Sequence, residues 1–305
     1  MVEWKPLTGI LPPLTQEAWE ETFHKYQQFP EFRLMNRDMD LEGFKSIFWL
    51  EYIHRIWGRA IGVIFFLPFL FFLWKGWIDK SLVPKLGIIF VLGGMQGLLG
   101  WYMVMSGLVD RPDVSQYRLA AHLGLAFLVY ACIFWVALGL IRPCPRTSGT
   151  GRAGNRRWWF AATLFILIFI TVLSGGFVAG TDAGFTYNTF PLMGDRLIPV
   201  NLFLLEPPIR NIFENVTTIQ FTHRLLAITV FTLIVLFWLA QLRSNLSCTA
   251  RLAMHLLLTA VMLQMILGIS TLLLVVPVAL GVAHQSGALI LFTISLWTLH
   301  EFSFH

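Results

Sequence analysis

Long apolar runs separated by short polar turns set the pattern of this chain. Seven of them lie at roughly 47–74, 84–108, 118–141, 158–180, 217–241, 252–276 and 280–300. A hydrocarbon core of about 30 Å takes ~20 helical residues, so each run is long enough to cross a bilayer. Helix is the element predicted for each, because lipid offers a backbone no hydrogen-bonding partner outside the segment itself. The pattern therefore predicts an all-α polytopic membrane protein. Residues 14–46 read differently. TQEAWEETFHKYQQFPEF and NRDMDLEGFKSIF set Trp, Phe and Tyr on one side at helical spacing. Such segments are stable along a membrane interface, and they would equally roof a pocket between the spans.

Composition strengthens this picture. Of 305 residues, 56% are hydrophobic and 13% charged, with 27 Phe and 12 Trp. That is more apolar surface than a soluble domain of this size hides. The net charge of +5 would fit a nucleic-acid binder, but its distribution does not. Arg142, Arg146, Arg152, Arg156 and Arg157 crowd 142–157 without an acid; Lys75, Lys80 and Lys85 face only Asp79 in 75–85; Arg243 and Arg251 flank 242–251. The alternating loops 109–117 and 181–216 are nearly neutral, and 1–46 is acid-rich. Basic loops stay inside, so the N-terminus is expected outside and the C-terminus inside, which takes an odd number of spans. Cys132 falls in a span and Cys144 and Cys248 in inside loops, leaving no outward pair for a disulfide. Residues 1–46 hold neither a signal peptide's apolar core nor the Arg-rich bias of a transit peptide.

Four histidines sit near the starts of apolar runs: His54 in LEYIHR, His122 in AAH, His223 in FTHR and His284 in AHQ. An imidazole in lipid needs a partner and marks a functional position by default. They form two pairs, and their surroundings repeat. MQGLLG at 95–100 matches LQMILG at 263–268, and WKPLTG at 4–9 resembles TFPLMG at 189–194. The reading is two tandem pseudo-symmetric four-helix bundles, arranged as parallel repeats. The first covers 1–141, with three helices and an outward loop; 142–157 is a basic inside loop; the second covers 158–305, with four helices. Span 158–180, which precedes the second loop, has no counterpart before WKPLTG, so the first bundle is expected to lack its first helix in this sequence. All four histidines then lie at one depth, roughly 5–10 Å below the outer interface at 1.5 Å rise per residue. Paired imidazoles on facing helices suit a six-coordinate haem iron, one pocket per half.

Glu51 precedes His54 by three residues and shares its helical face; the matched residue in the second half is Gln220. A carboxylate beside a haem can move protons or hold a reacting group, whereas an amide does neither. This marks the first half as the reacting site and the second as a fixed cofactor site, the competing reading being a Glu solvated at the interface. Arg55 and Arg224 follow their histidines, and Arg59 lies one turn deeper. Haem propionates are natural partners for guanidinium groups; snorkelling to headgroups is the alternative. Gln96 and Gln264, matched within spans, are expected to hydrogen-bond between helices. The glycines around Gln96 permit close approach, either of a neighbouring helix or of a flat macrocycle. His24, His255, His300 and His305 are read as non-ligands.

These motifs, together with MVEWKPLTG at 1–9, resemble the heme A synthase family of mitochondria and proteobacteria over essentially the whole chain. The resemblance implies eight helices in two halves and oxidation of the C8 methyl of haem O to the formyl group of haem A. It implies stepwise hydroxylation through alcohol and gem-diol stages. By matching motif, His223 and His284 would ligate haem b, while His54 and His122 would flank the substrate haem with Glu51 beside it. A cysteine pair in an outward loop, found in one branch, has no counterpart here. The implied partners are membrane lipid, haem O and its synthase, an electron acceptor or donor, terminal oxidase assembly factors and a second copy of the chain, with no nucleic acid. The implied location is the bacterial or mitochondrial inner membrane, with the haem sites toward the outer face. Two rival readings are a quinone-linked di-haem cytochrome, which gives Glu51 no task, and a haem carrier, for which no WWD-type loop is present.

Overall fold

The computed structural model describes residues 11–107, 114–141 and 152–303, with backbone alone for 105–107 and 152–155. The WKPLTG motif, the basic residues of 142–151, Cys144 and His305 lie outside the described residues. Along the chain run α1 (Gln16–Tyr26), α2 (Pro30–Met35), α3 (Leu41–Trp74), α4 (Val83–Gly107), α5 (Gln116–Ile141), α6 (Arg152–Gly180), α7 (Asn211–Glu214), α8 (Val216–Gln241), α9 (Cys248–Leu273) and α10 (Val278–Phe302). Among the described residues no strand forms beyond one bridge between Met193 and Arg196. Seven helices among the described residues, α3 to α6 and α8 to α10, are long and apolar enough to cross a membrane. The protein is all-α, polytopic and integral to a membrane.

Side chains cap several of these helices and set where they begin. Asp40 accepts from the Gly43 amide at 2.8 Å, Asn215 from Thr217 and Thr218, and Ser247 from Ala250; each such cap is worth about 1 kcal/mol. Four boundaries depart from the hydropathy. Helix α3 starts at Leu41, well before its apolar run, because Asp40 caps it there and nothing interrupts it before Pro68. At 34 residues it is about 51 Å long at 1.5 Å rise per residue, more than a hydrocarbon core requires. Helix α6 starts at Arg152, so Arg156 and Arg157 occupy its first turns rather than a loop, and Cys248 is likewise the first residue of α9. Helix α9 stops at Leu273 although the chain stays apolar to 276. Val275 and Val276 adopt φ of 60° and 54°, a left-handed conformation uncommon for β-branched residues, and Pro277 follows.

The early turns of α3 belong to a small aromatic cluster. Phe44 and Phe48 pack with Trp19 and Tyr26 of α1, flanked by Phe23, Phe32 and Met39. Rings of Trp19 and Phe48 meet edge to face at 4.8 Å. The two amphipathic stretches read from the sequence thus become α1, α2 and the start of α3, with their apolar faces turned toward one another.

The chain divides into two compact units, Met1–Val129 and Tyr130–His305, the break falling inside α5. In the second unit α6 packs on α8 and α10, and α9 packs on the same two. Four helices in this order close a ring, which puts α8 opposite α10 and α6 opposite α9. Leu164, Ile168, Ile234, Leu257 and Phe292 are fully buried on these helices. In the first unit α3 packs on α4 and on α1.

Candidate functional site

The closed ring of the second unit decides where two of the histidines face. His223 lies seven residues into α8 and His284 six into α10, on opposite corners and within electrostatic reach of each other. Each is braced from a neighbouring corner. Ser174 of α6 places its hydroxyl oxygen 2.7 Å from His223 Nδ1. Gln264 of α9 donates Nε2–H to the His284 carbonyl at 2.9 Å, and the same nitrogen lies 3.1 Å from His284 Nδ1. Glycines make the approach possible. A Cβ on Gly268 would stand 2.9 Å from His284 Cε1, and one on Gly175 would stand 3.3 Å from His223 Cε1. Gly287, one turn beyond His284, leaves room for the Gln264 amide in the same way.

The first unit repeats half of this arrangement. Gln96 of α4 donates to the His122 carbonyl of α5 at 3.0 Å, with His122 Nε2 3.3 Å from the same amide nitrogen. A Cβ on Gly100 would stand 3.0 Å from His122 Cε1. Gln96 and Gly100 therefore hold His122 as Gln264 and Gly268 hold His284, four residues apart on their helix in each case. His122 Nδ1 and the side-chain oxygens of Gln96 and Gln264 are buried without a hydrogen-bond partner. His54 is exposed on α3, within electrostatic reach of His122. It lies thirteen residues into its helix, because α3 begins early.

The residues flanking His54 and His223 differ more than the histidines do. On α3, Arg55 donates to Glu51 in an i,i+4 ion pair, with the Arg55 side chain almost fully covered. On α8 the matched pair is Gln220 and Arg224. Gln220 donates to the Tyr187 carbonyl at 3.1 Å, and its own oxygen is buried without a partner. Arg224 donates to loop carbonyls: Nη2 to Tyr187 at 2.7 Å, Nη1 to Thr189 at 2.8 Å and Leu192 at 3.3 Å. Its Nε is buried and unpartnered. Asn188 ties the same loop to α9 through the Leu272 carbonyl at 2.9 Å. Arg59 is half-buried on α3.

Among the remaining histidines, His255 accepts from Trp238 Nε1 at 3.0 Å, and His300 is buried against the Trp135 ring. Among the described residues no three His, Cys, Asp or Glu come together as a cage for a bare ion. Paired imidazoles across a bundle are a ligand set that the iron of a haem accepts. Sequence reasoning named Gln96 and Gln264 only as interhelical hydrogen bonds, and it missed Ser174. A serine within a membrane span reads as satisfied by its own helix, so only the packing of α6 on α8 shows its second contact.

Comparison with known proteins places this geometry. Residues 1–296 match the COX15-CtaA family, described as cytochrome oxidase assembly protein. The chain belongs to that family. It is 56% identical to the Heme A synthase of Nitrosospira multiformis over 99% of this chain and 84% of that protein. It is 52% identical to the Heme A synthase of Nitrosomonas eutropha, over 99% and 85%. It is 45% identical to the Homo sapiens protein named Heme A synthase COX15, over 99% and 75%. A COX15-CtaA chain with four helix-borne histidines thus braces three of them from neighbouring helices and leaves the fourth, His54, exposed with a carboxylate one turn away.

Proposed function

We propose that this COX15-CtaA protein is a heme A synthase: an oxidoreductase that takes haem O at the first unit and holds haem b in the second. The observation that carries the division of labour is Glu51–Arg55 on α3 against Gln220–Arg224 on α8. His223 and His284, on opposite corners of a closed four-helix ring with room left beside each ring by Gly175 and Gly268, would hold the haem b iron. Bound there, haem b supplies one-electron transfer.

In the first unit His54 and His122 flank the substrate macrocycle and Gln96 steadies His122. Glu51 lies one turn from His54 and can hold or move a proton at its carboxylate while Arg55 neutralises it. Written with water as oxygen donor, the C8 methyl loses two electrons and two protons to become an alcohol. The same step repeated gives a gem-diol, and loss of water leaves the formyl group. Four electrons in all pass to an external acceptor. Arg59 and the unpartnered Nε of Arg224 are assigned to propionate carboxylates. We assign the protein to a bacterial or mitochondrial inner membrane; the basic turns support an orientation with both sites toward the outer face. Haem O synthase is then the natural supplier of substrate, and terminal oxidase assembly factors the natural receivers of product.

Extraction and chromatography of the haems bound to the purified protein tests this reading. Haem b together with haem O, haem A or a hydroxylated intermediate is expected. Haem b alone in both sites would replace the synthase with a di-haem electron-transfer cytochrome.

A further inference from the structure

A neutral imidazole binds iron through the nitrogen that lacks a proton, and the hydrogen bond made by the other nitrogen decides which one that is. In the second unit this choice follows from two short contacts. Ser174 Oγ lies 2.7 Å from the Thr171 carbonyl oxygen and 2.7 Å from His223 Nδ1. Two oxygens at that separation need a hydrogen between them. The carbonyl has none, and the hydroxyl has one. The serine hydrogen therefore goes to Thr171, and Oγ meets the imidazole as an acceptor only. The hydrogen in the second contact must come from Nδ1. His223 is thereby left with its lone pair on Nε2, the far side of the ring from α6.

The surroundings hold the ring in that pose. Gly175, next to Ser174, lets the imidazole lie against α6, since a Cβ there would stand 3.3 Å from Cε1. Gln220, three residues before His223, and Arg224, immediately after it, are both engaged by loop carbonyls, so this turn of α8 is tethered at two points. His284 differs. It is faced by the Gln264 amide, which has both donor and acceptor ends and an oxygen with no partner. The amide nitrogen that faces the ring also donates to the His284 carbonyl, so this brace runs through a side-chain amide and not through a hydroxyl relay.

We propose that Ser174 is a positioning residue for His223: it keeps the proton on Nδ1 and presents Nε2 to the haem b iron before haem arrives. The inference rests on reading the second unit as the haem b site. Partners of this kind typically contribute 10–100-fold to metal affinity and raise the basicity of the ligand.

The test uses the full-length protein in detergent with Ser174→Ala, Ser174→Thr and His223→Ala. It reads haem b per chain, the rate of haem transfer to apomyoglobin, the low-spin signal in electron paramagnetic resonance, and the midpoint potential. Ser174→Ala is expected to bind haem b with bis-imidazole ligation, release it about 10–100-fold faster, and shift the potential upward as His223 becomes a weaker electron donor. Ser174→Thr, which keeps the hydroxyl, is expected to restore both. His223→Ala is expected to lack haem b. Wild-type release and potential in Ser174→Ala, with haem b absent from His223→Ala, would overturn the role of Ser174 alone. Unchanged haem b in His223→Ala would overturn the site assignment itself.

Discussion

On α3 a guanidinium folds back along its own helix to meet Glu51; on α8 the matched guanidinium leaves its helix and grips three carbonyls of the loop after α6. A carboxylate four residues away attracts the arginine, whereas the amide of Gln220 competes for the same loop instead of for Arg224. In the second unit the result is a turn of α8 bound to the loop at Tyr187, Thr189 and Leu192. In the first unit, charge is concentrated beside His54. The packing differs in the same sense. None of the apolar window of α3 is buried within the protein, against 28% of that of α6. A braced, enclosed histidine pair suits a permanent cofactor, and an accessible histidine beside an ion pair suits a haem that must enter, react and leave.

The largest expected effect comes from making the first unit resemble the second. Glu51→Gln should leave haem b content unchanged and lower haem A formation by about 100-fold or more, the usual contribution of a positioned acid or base. Haem A yield measured by chromatography decides it, and a normal yield would remove the contrast between the units. Next in size are two of the three glycines that stand against histidine rings. Gly268→Ala should displace His284 and cut haem b occupancy about 10-fold, because the new Cβ meets a ring already held by Gln264, and lost ligand orientation costs affinity on this scale. Gly100→Ala should act on His122, lowering haem O binding while sparing haem b. If each variant depletes both haems equally, the two sites are not separate.

The smallest effect should come from the converse exchange. Gln220→Glu offers Arg224 a carboxylate at i,i+4 and should draw it from the loop carbonyls. Losing those charge-assisted bonds costs about 1–2 kcal/mol of local stability, so amide hydrogen exchange at 187–192 should accelerate about tenfold. No gain of haem O oxidation in the second unit is expected. Unchanged exchange would show that Asn188 and Gln220 hold the loop without Arg224.

Much of this was legible in the chain before any fold was known. Apolar runs of about 20 residues define the seven spans because lipid leaves a backbone no other way to satisfy its hydrogen bonds. Glu51 against Gln220, and the paired Gln96 and Gln264, stand out as polar positions within those runs. The first two turns of α3 were not legible, since hydropathy marks where a helix becomes apolar and not where Asp40 starts it. Nor was the end of α9, where two valines in left-handed conformation stop a helix that the apolar pattern continues.

What the sequence by itself determined is that the four histidines, Glu51 and Gln220 lie on membrane-length helices, because hydropathy and residue type are local properties. Only the tertiary structure decided what those residues touch. That α8 stands opposite α10, that Arg224 serves carbonyls more than thirty residues away, and that Ser174 meets His223 are consequences of which helices pack together. Backbone carbonyls and a lone serine hydroxyl carry no signature of their partners along the chain; proximity alone gives them one.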